Sequence, residues 1–190
     1  MTLRWLTALA WALALAGCAS TPPPSTSPLD LRAALPERWT LQGRIGVKSA
    51  DQNLSGNMLW QHRGGADELL LTSPLGQGVA RIVRDASGVT LELPNQPARR
   101  AADAEELTRA VLGYGLPVAG LGWWVQARPA PGSTFDATRD SRNRFEQIRQ
   151  DGWTITYLRY ADDAPTRPRK LALTREGLEI RLIVDAWTSE

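Results

Sequence analysis

A chain of 190 residues is long enough for one domain with a substantial core and too short for two comfortable ones. Its composition is that of a globular protein, 43% hydrophobic and 22% charged, and a formal net charge of +2 leaves no clustered basic excess for a nucleic-acid binder. The aromatic content is skewed, with 8 Trp against 3 Tyr and 2 Phe, which suits a roomy apolar interior and ordinary core packing equally.

The first segment in chain order is not part of a fold. Arg4 is followed by an apolar run over 5–16, too short to span a bilayer and of the right length for a signal-peptide core. The run ends in Leu15-Ala16-Gly17-Cys18, which resembles the bacterial lipobox, where cleavage before the cysteine leaves it acylated as the first mature residue. A plain signal peptide also ends in small residues, so an incidental cysteine is the alternative. Cys18 is the only cysteine and can form no internal disulfide. Residues 1–17 are therefore expected to be a signal peptide. Residues 18–33 are expected to be an acylated Pro/Ser/Thr-rich tether, and 34–190 the domain. Ala19-Ser20 follow Cys18 where an Asp would retain an envelope lipoprotein at the inner membrane; that resemblance implies delivery to the outer one.

A short helix is predicted over 28–35, with Leu31 and Leu35 on one face and Pro36 as its stop. The period then changes to two. Trp39, Leu41, Gly43, Ile45 and Val47 alternate with polar residues, the turn ADQN follows, and Leu54, Met58 and Trp60 continue in phase. Further strands are predicted over 68–72, 79–84, 89–93, 133–138, 144–150, 153–160, 170–174 and 179–187, with turn residues such as Gly64-Gly65, Asp151-Gly152 and Glu176-Gly177 between them. One insertion breaks the rhythm. Asp103 is a good N-cap with Glu105 and Glu106 in the first turn, Leu107, Val111 and Leu112 form a stripe, and Gly113 or Gly115 ends the helix. Pro117 suits the first position of a second helix through Trp123 and Trp124. The expected architecture is mainly β (α+β): a strongly curved antiparallel sheet or incomplete barrel of about ten strands, with the helices across its concave side over an apolar cavity.

Catalytic arrangements lack parts. His62 is the only histidine and reads as a strand-end residue; no second histidine or free cysteine exists for a metal or triad, and no nucleotide loop is present. Glu105 and Glu106 point about 100° apart on a helix and read as a solvated first turn, and Asp162-Asp163 as a loop. The expectation is no enzyme, no cofactor and no metal.

The ordered pieces LQGRIGV, GNMLWQ, LLLTSPLGQGVARI, AADAEEL, GLPVAGLGWWVQARP and LEIRLIVDAW, behind a lipobox and a Pro-rich tether, resemble the LolB family of outer-membrane lipoprotein receptors. The resemblance covers essentially the whole mature chain. It implies a half-open barrel of about eleven strands, capped by helices and enclosing a hydrophobic cavity. It also implies acceptance of triacylated lipoprotein cargo from a LolA-like periplasmic carrier and placement of that cargo in the outer membrane, by a monomer facing the periplasm and held through Cys18. An acyl-binding surface must be broad and apolar. Trp39, Leu41, Ile45, Met58 and Trp60 of the first strands, and Trp153, Ile155, Tyr157, Leu171, Leu173, Ile180, Leu182 and Val184 of the last ones, could supply it; the same residues would also make an ordinary dry core.

Between two strands lies Ser73-Pro74-Leu75-Gly76, a turn with a leucine at its tip. Exposing a leucine forgoes about 1.5–3 kcal/mol of burial unless it meets something apolar. By the resemblance, Pro74, Leu75 and Gly76 form a protruding loop whose leucine acts at the membrane; a leucine folded back onto a strand is the alternative. Two other functions compete: an assembly lipoprotein binding a protein partner through Trp123-Trp124, and a small envelope hydrolase.

Overall fold

The computed structural model describes residues 36–189. The expected signal peptide, Cys18, the tether and the helix over 28–35 lie outside the described residues. Eleven strands form one antiparallel sheet: β1 (Arg38–Lys48), β2 (Asn53–Arg63), β3 (Ala66–Thr72), β4 (Gly78–Asp85), β5 (Gly88–Glu92), β6 (Arg99–Ala101), β7 (Phe135–Arg139), β8 (Phe145–Gln150), β9 (Trp153–Tyr160), β10 (Pro168–Arg175) and β11 (Leu178–Ser189). The order is β6-β5-β4-β3-β2-β1-β11-β10-β9-β8-β7. Two meanders of consecutive hairpins are thus joined by one long-range seam, β1 against β11, and the half-barrel stays open between β6 and β7.

The alternation over β1 is borne out in burial: Trp39, Leu41, Gly43, Ile45 and Val47 are buried while Arg38, Gln42, Arg44 and Lys48 face water. Asp151-Gly152 and Glu176-Gly177 hold positive φ at both central positions, the turn geometry whose twist matches that of a hairpin. The strand expected over 133–138 runs instead over Phe135–Arg139. The eleventh strand, β6, was not among the strands expected from alternation; three residues, Arg-Arg-Ala, are too few to display a period.

Between β6 and β7 lie α1 (Ala104–Leu112) and α2 (Val118–Trp124). Asp103 caps α1, its Oδ1 accepting from the Glu106 amide at 2.8 Å, and Gly113 closes it in the left-handed conformation. The stripe on α1 differs from the expected one. Ala104, Leu107 and Thr108 are the buried residues, with Val111 and Leu112 only partly covered. Thr108 is tolerated because its hydroxyl donates to the Ala104 carbonyl and accepts from the Leu116 amide, both at 2.8 Å. Pro117 is the N-cap of α2 and not its first helical residue. Glu105 is not a free solvated carboxylate: it pairs with Arg109 on its own helix and with Arg175 at the end of β10.

Helix α2 lies on the buried face of the sheet and reaches both meanders. A Cβ at Gly122 would sit 3.6 Å from the Trp60 ring of β2, so the helix backbone rests on that indole. On the other side, Trp124 Nε1 donates to Gln150 Oε1 at 2.9 Å on β8, and the Tyr157 hydroxyl of β9 donates to the Trp124 carbonyl at 2.9 Å.

Candidate functional site

The hairpin loop between β3 and β4 is built for rigidity. The Ser73 amide donates to the Gln77 carbonyl at 2.8 Å and the Gly76 amide to the Ser73 carbonyl at 2.9 Å. The Gln77 amide also reaches Ser73 Oγ at 3.2 Å, and Asn57 Nδ2 holds the Ser73 carbonyl from β2 at 3.3 Å. Pro74 fixes its own φ, and Gly76 at φ 84° supplies the left-handed residue that closes a three-residue hairpin loop. Leu75 cannot fold back from this tip: it is 90% exposed, the most exposed large apolar side chain of the described residues. Val79 at the start of β4 and Leu54 near the start of β2 are about half exposed beside the same loop.

The thirteen residues offered for an acyl-binding surface all fall on one face of the sheet, in one cluster. Trp39, Leu41, Ile45, Met58, Trp60, Trp153, Ile155, Tyr157, Leu171, Leu173, Ile180 and Leu182 are each buried, as is Val184. α2 contributes Val118, Leu121 and Trp124 to the same cluster. At one end Trp39 packs edge-on against Trp60 with ring centres 4.9 Å apart, and stacks on Trp187 at 4.7 Å and on His62 at 5.1 Å. Two of the indoles, those of Trp39 and Trp153, bury an N–H that has no acceptor among the described residues. Buried donors are ordinarily paired, so each is an anomaly in an otherwise satisfied interior.

Polar residues on this face serve the architecture. Asp67 is buried and receives Trp60 Nε1 at 2.9 Å, His62 Nδ1 at 2.8 Å and Arg84 Nε at 2.8 Å, which explains the lone histidine as a partner of a structural carboxylate. Gln150 accepts from Trp124 and from the Ala130 amide while donating to the Ala130 carbonyl and to Ser133 Oγ, tying the chain after α2 to β8. Burial pushes the Tyr157 phenol well above its ordinary range and the Tyr160 phenol up to about 12. The two tyrosines nonetheless find acceptors, the carbonyls of Trp124 and Phe145. Asp162 lies in the loop after β9, paired with Arg159 at the surface. Trp124 is buried and Trp123 half-buried, so this pair forms part of the interior and not an exposed protein-binding surface.

The family model for the outer membrane lipoprotein LolB matches residues 37–187. The chain belongs to the LolB family. An outer-membrane lipoprotein LolB of Thiobacillus denitrificans is 56% identical over 184 residues, covering 97% of this chain and 96% of that one. One from Ralstonia nicotianae is 41% identical over 192 residues, with 90% of each chain covered. Among solved structures, a DUF1329 family protein from Desulfovibrio piger superposes with a TM-score of 0.55 at 7% identity, covering 84% of this chain and 88% of its own, which is likeness of fold alone. LolB membership makes this an outer-membrane lipoprotein of the lipoprotein-localisation system, a family without enzymatic activity.

Proposed function

We propose that this LolB-family domain accepts acylated lipoproteins from a LolA-like periplasmic carrier into its apolar interior and hands them to the outer membrane through the Leu75 loop. Residues 1–17 would be removed as a signal peptide. Acylated Cys18 and the tether over 18–33 would hold the domain, as a monomer, to the membrane that receives the cargo. The observation that carries the reading is a leucine held almost fully in water at the tip of a hydrogen-bonded hairpin. A side chain fixed in that position gains about 1.5–3 kcal/mol only when something apolar meets it, and a bilayer is such a partner. The buried indole N–H groups of Trp39 and Trp153 support the acyl-binding half of the reading, because the ester and amide carbonyls of an acylated cysteine could accept from them. A transfer of this kind forms and breaks no covalent bond and asks for no cofactor.

Replacing Leu75 with Glu tests the reading. Uptake of acylated cargo from the carrier is expected to remain near wild type, because the tip contributes nothing to the buried face. Incorporation of that cargo into liposomes is expected to fall at least tenfold, since a charged tip loses the burial term and adds a desolvation cost. Normal incorporation with this variant would remove Leu75 from the mechanism.

A further inference from the structure

At the loop end of the sheet β1 carries Arg44 and Lys48, and neither β1 nor β2 carries a carboxylate. Their outward side beside the loop is dented. Gly46 pairs with Ser55 on one side and Arg181 on the other, so a glycine and a serine lie between cationic neighbours. The result is a shallow groove of about 280 Å³ with Pro74 of the Leu75 loop in its wall and Arg44 and Arg181 along its length. Lys48 lines an adjoining groove that shares Gly46, Ser55 and Arg181.

The level of these cations along the sheet matches the loop. Arg44 is opposite Asn57, and Asn57 is opposite Thr72, the last residue before the loop. Arg181 lies two residues nearer the loop end, across from Gly46 and Ser55. With Leu75 in the acyl region of a bilayer, the guanidinium groups would stand at the depth of the lipid phosphates, where long cationic side chains reach up from an apolar contact. Each arginine is engaged on one side only. Arg44 gives Nε and one Nη2 proton to Asp185, both at 3.0 Å, and Arg181 gives Nε to Glu179. A guanidinium has five N–H donors, so several remain on each for a phosphate, and exposed ion pairs of this kind stabilise too weakly to resist sharing.

We infer that the groove between Pro74 and β11 is a binding site for phospholipid phosphates, which Arg44 and Arg181 grip while Leu75 enters the bilayer. The inference rests on the membrane reading of Leu75 and assigns a headgroup contact to the same docking event. It gives the loop a preference for anionic surfaces that a leucine alone would lack.

The test uses the full acylated chain reconstituted in vesicles, with Gln77→Cys as the single free thiol carrying an environment-sensitive dye. In vesicles of phosphatidylcholine the dye reports insertion driven by Leu75; adding phosphatidylglycerol should raise the inserted fraction. Removing both arginines, as Arg44→Gln with Arg181→Gln, should reduce the ratio of inserted to withdrawn loop by about fivefold per charge and erase the phosphatidylglycerol response. The lysine pair Arg44→Lys with Arg181→Lys should recover most of it, and Arg81→Gln, on the β4 surface away from the groove, should change nothing. A phosphatidylglycerol response absent from the wild type, or intact in the double glutamine variant, would overturn the inference. Loss of the response to inorganic phosphate at an ionic strength where chloride is without effect would reassign the groove to a soluble anion. Leu75→Glu separates the two ideas: unchanged insertion in phosphatidylcholine refutes the membrane role of Leu75 and leaves the headgroup assay to be read from the arginine variants alone.

Discussion

Replacing Asp67 with Ala should be among the most destabilising single changes in the domain. Asp67 is 3% exposed and serves three donors at once: Trp60 Nε1, His62 Nδ1 and the Arg84 guanidinium. Without it, the indole N–H of a fully buried tryptophan loses its acceptor, at about 1–3 kcal/mol. Arg84 loses the partner of a largely buried ion pair, a change that costs about 3–5 kcal/mol where both charges are fully enclosed. Arg84 and His62 keep side-chain exposures of 29% and 20%, so water recovers part of that sum. The expected loss is about 3–4 kcal/mol, a large share of the usual 5–15 kcal/mol of a native domain. At about 2–4 °C per kcal/mol for a chain of this size, the melting midpoint should fall by roughly 10 °C. Urea unfolding followed by tryptophan fluorescence measures it. Asp162→Ala, which breaks a surface pair with Arg159, is the control and should stay within about 0.5 kcal/mol. Removing Arg84 as well, as Met, should cost less than the sum of the single changes, because the stranded charge goes with its partner. A loss below 1 kcal/mol for Asp67→Ala would refute the reasoning.

Gly43→Ala should destabilise by more than 2 kcal/mol in the same urea assay, because a Cβ there would lie 2.1 Å from the Ile183 carbonyl oxygen, a backbone atom at the irregular pairing of β1 with β11. Thr108→Val keeps the shape of a buried side chain but strands the Leu116 amide; about 1–3 kcal/mol is expected, with the loss concentrated in protection of the 113–118 amides from hydrogen exchange. The raised phenol pKa values fix the direction of an alkaline effect. The native state holds the protons of Tyr157 and Tyr160 more tightly than the unfolded chain, so the associated stability is intact below about pH 10 and falls as pH rises towards about 12. Phenolate absorbance of these two residues should therefore appear together with unfolding, and early titration of both in folded protein would contradict their burial.

Much of the fold is legible because alternation is a local signal. Ten of the eleven strands can be located from period two and from turn residues such as Asp151-Gly152, while β6 exists only because β5 offers it an edge to pair with. The tip leucine is legible too, since Pro74 and Gly76 announce the turn; the Asn57 bond that steadies it depends on strand register and is not. The Asp67 cluster left a signal that could have been used. Asp67 continues the buried stripe of Leu69 and Leu71, His62 that of Trp60 and Met58, and Arg84 that of Ile82 and Ala80. Three polar residues at neighbouring ends of apolar stripes point to one enclosed ion pair. The Glu105–Arg175 contact is different in kind, because 70 residues separate the partners and nothing local to either reveals the other. The phase of the strands likewise reports which side chains face inward, and it carries no information about the volume they enclose.

The direction of β1 sets a requirement on the leash. Arg38 pairs with Arg63 beside the β2–β3 turn, at the end of the sheet remote from Leu75. From there β1 climbs to Arg44 before reaching the level of Thr72, six residues or about 20 Å of strand, with the hairpin loop beyond it. Under the proposed anchorage at Cys18, the chain would enter the domain at Arg38, at the far end of β1 from the surface that would meet the bilayer. The twenty residue steps from Cys18 to Arg38 reach at most about 65–70 Å when fully extended, about twice the length of the 11-residue β1. On the same proposal, halving that segment would leave the leash about as long as β1 itself, too short for the leucine tip to turn towards the membrane holding Cys18.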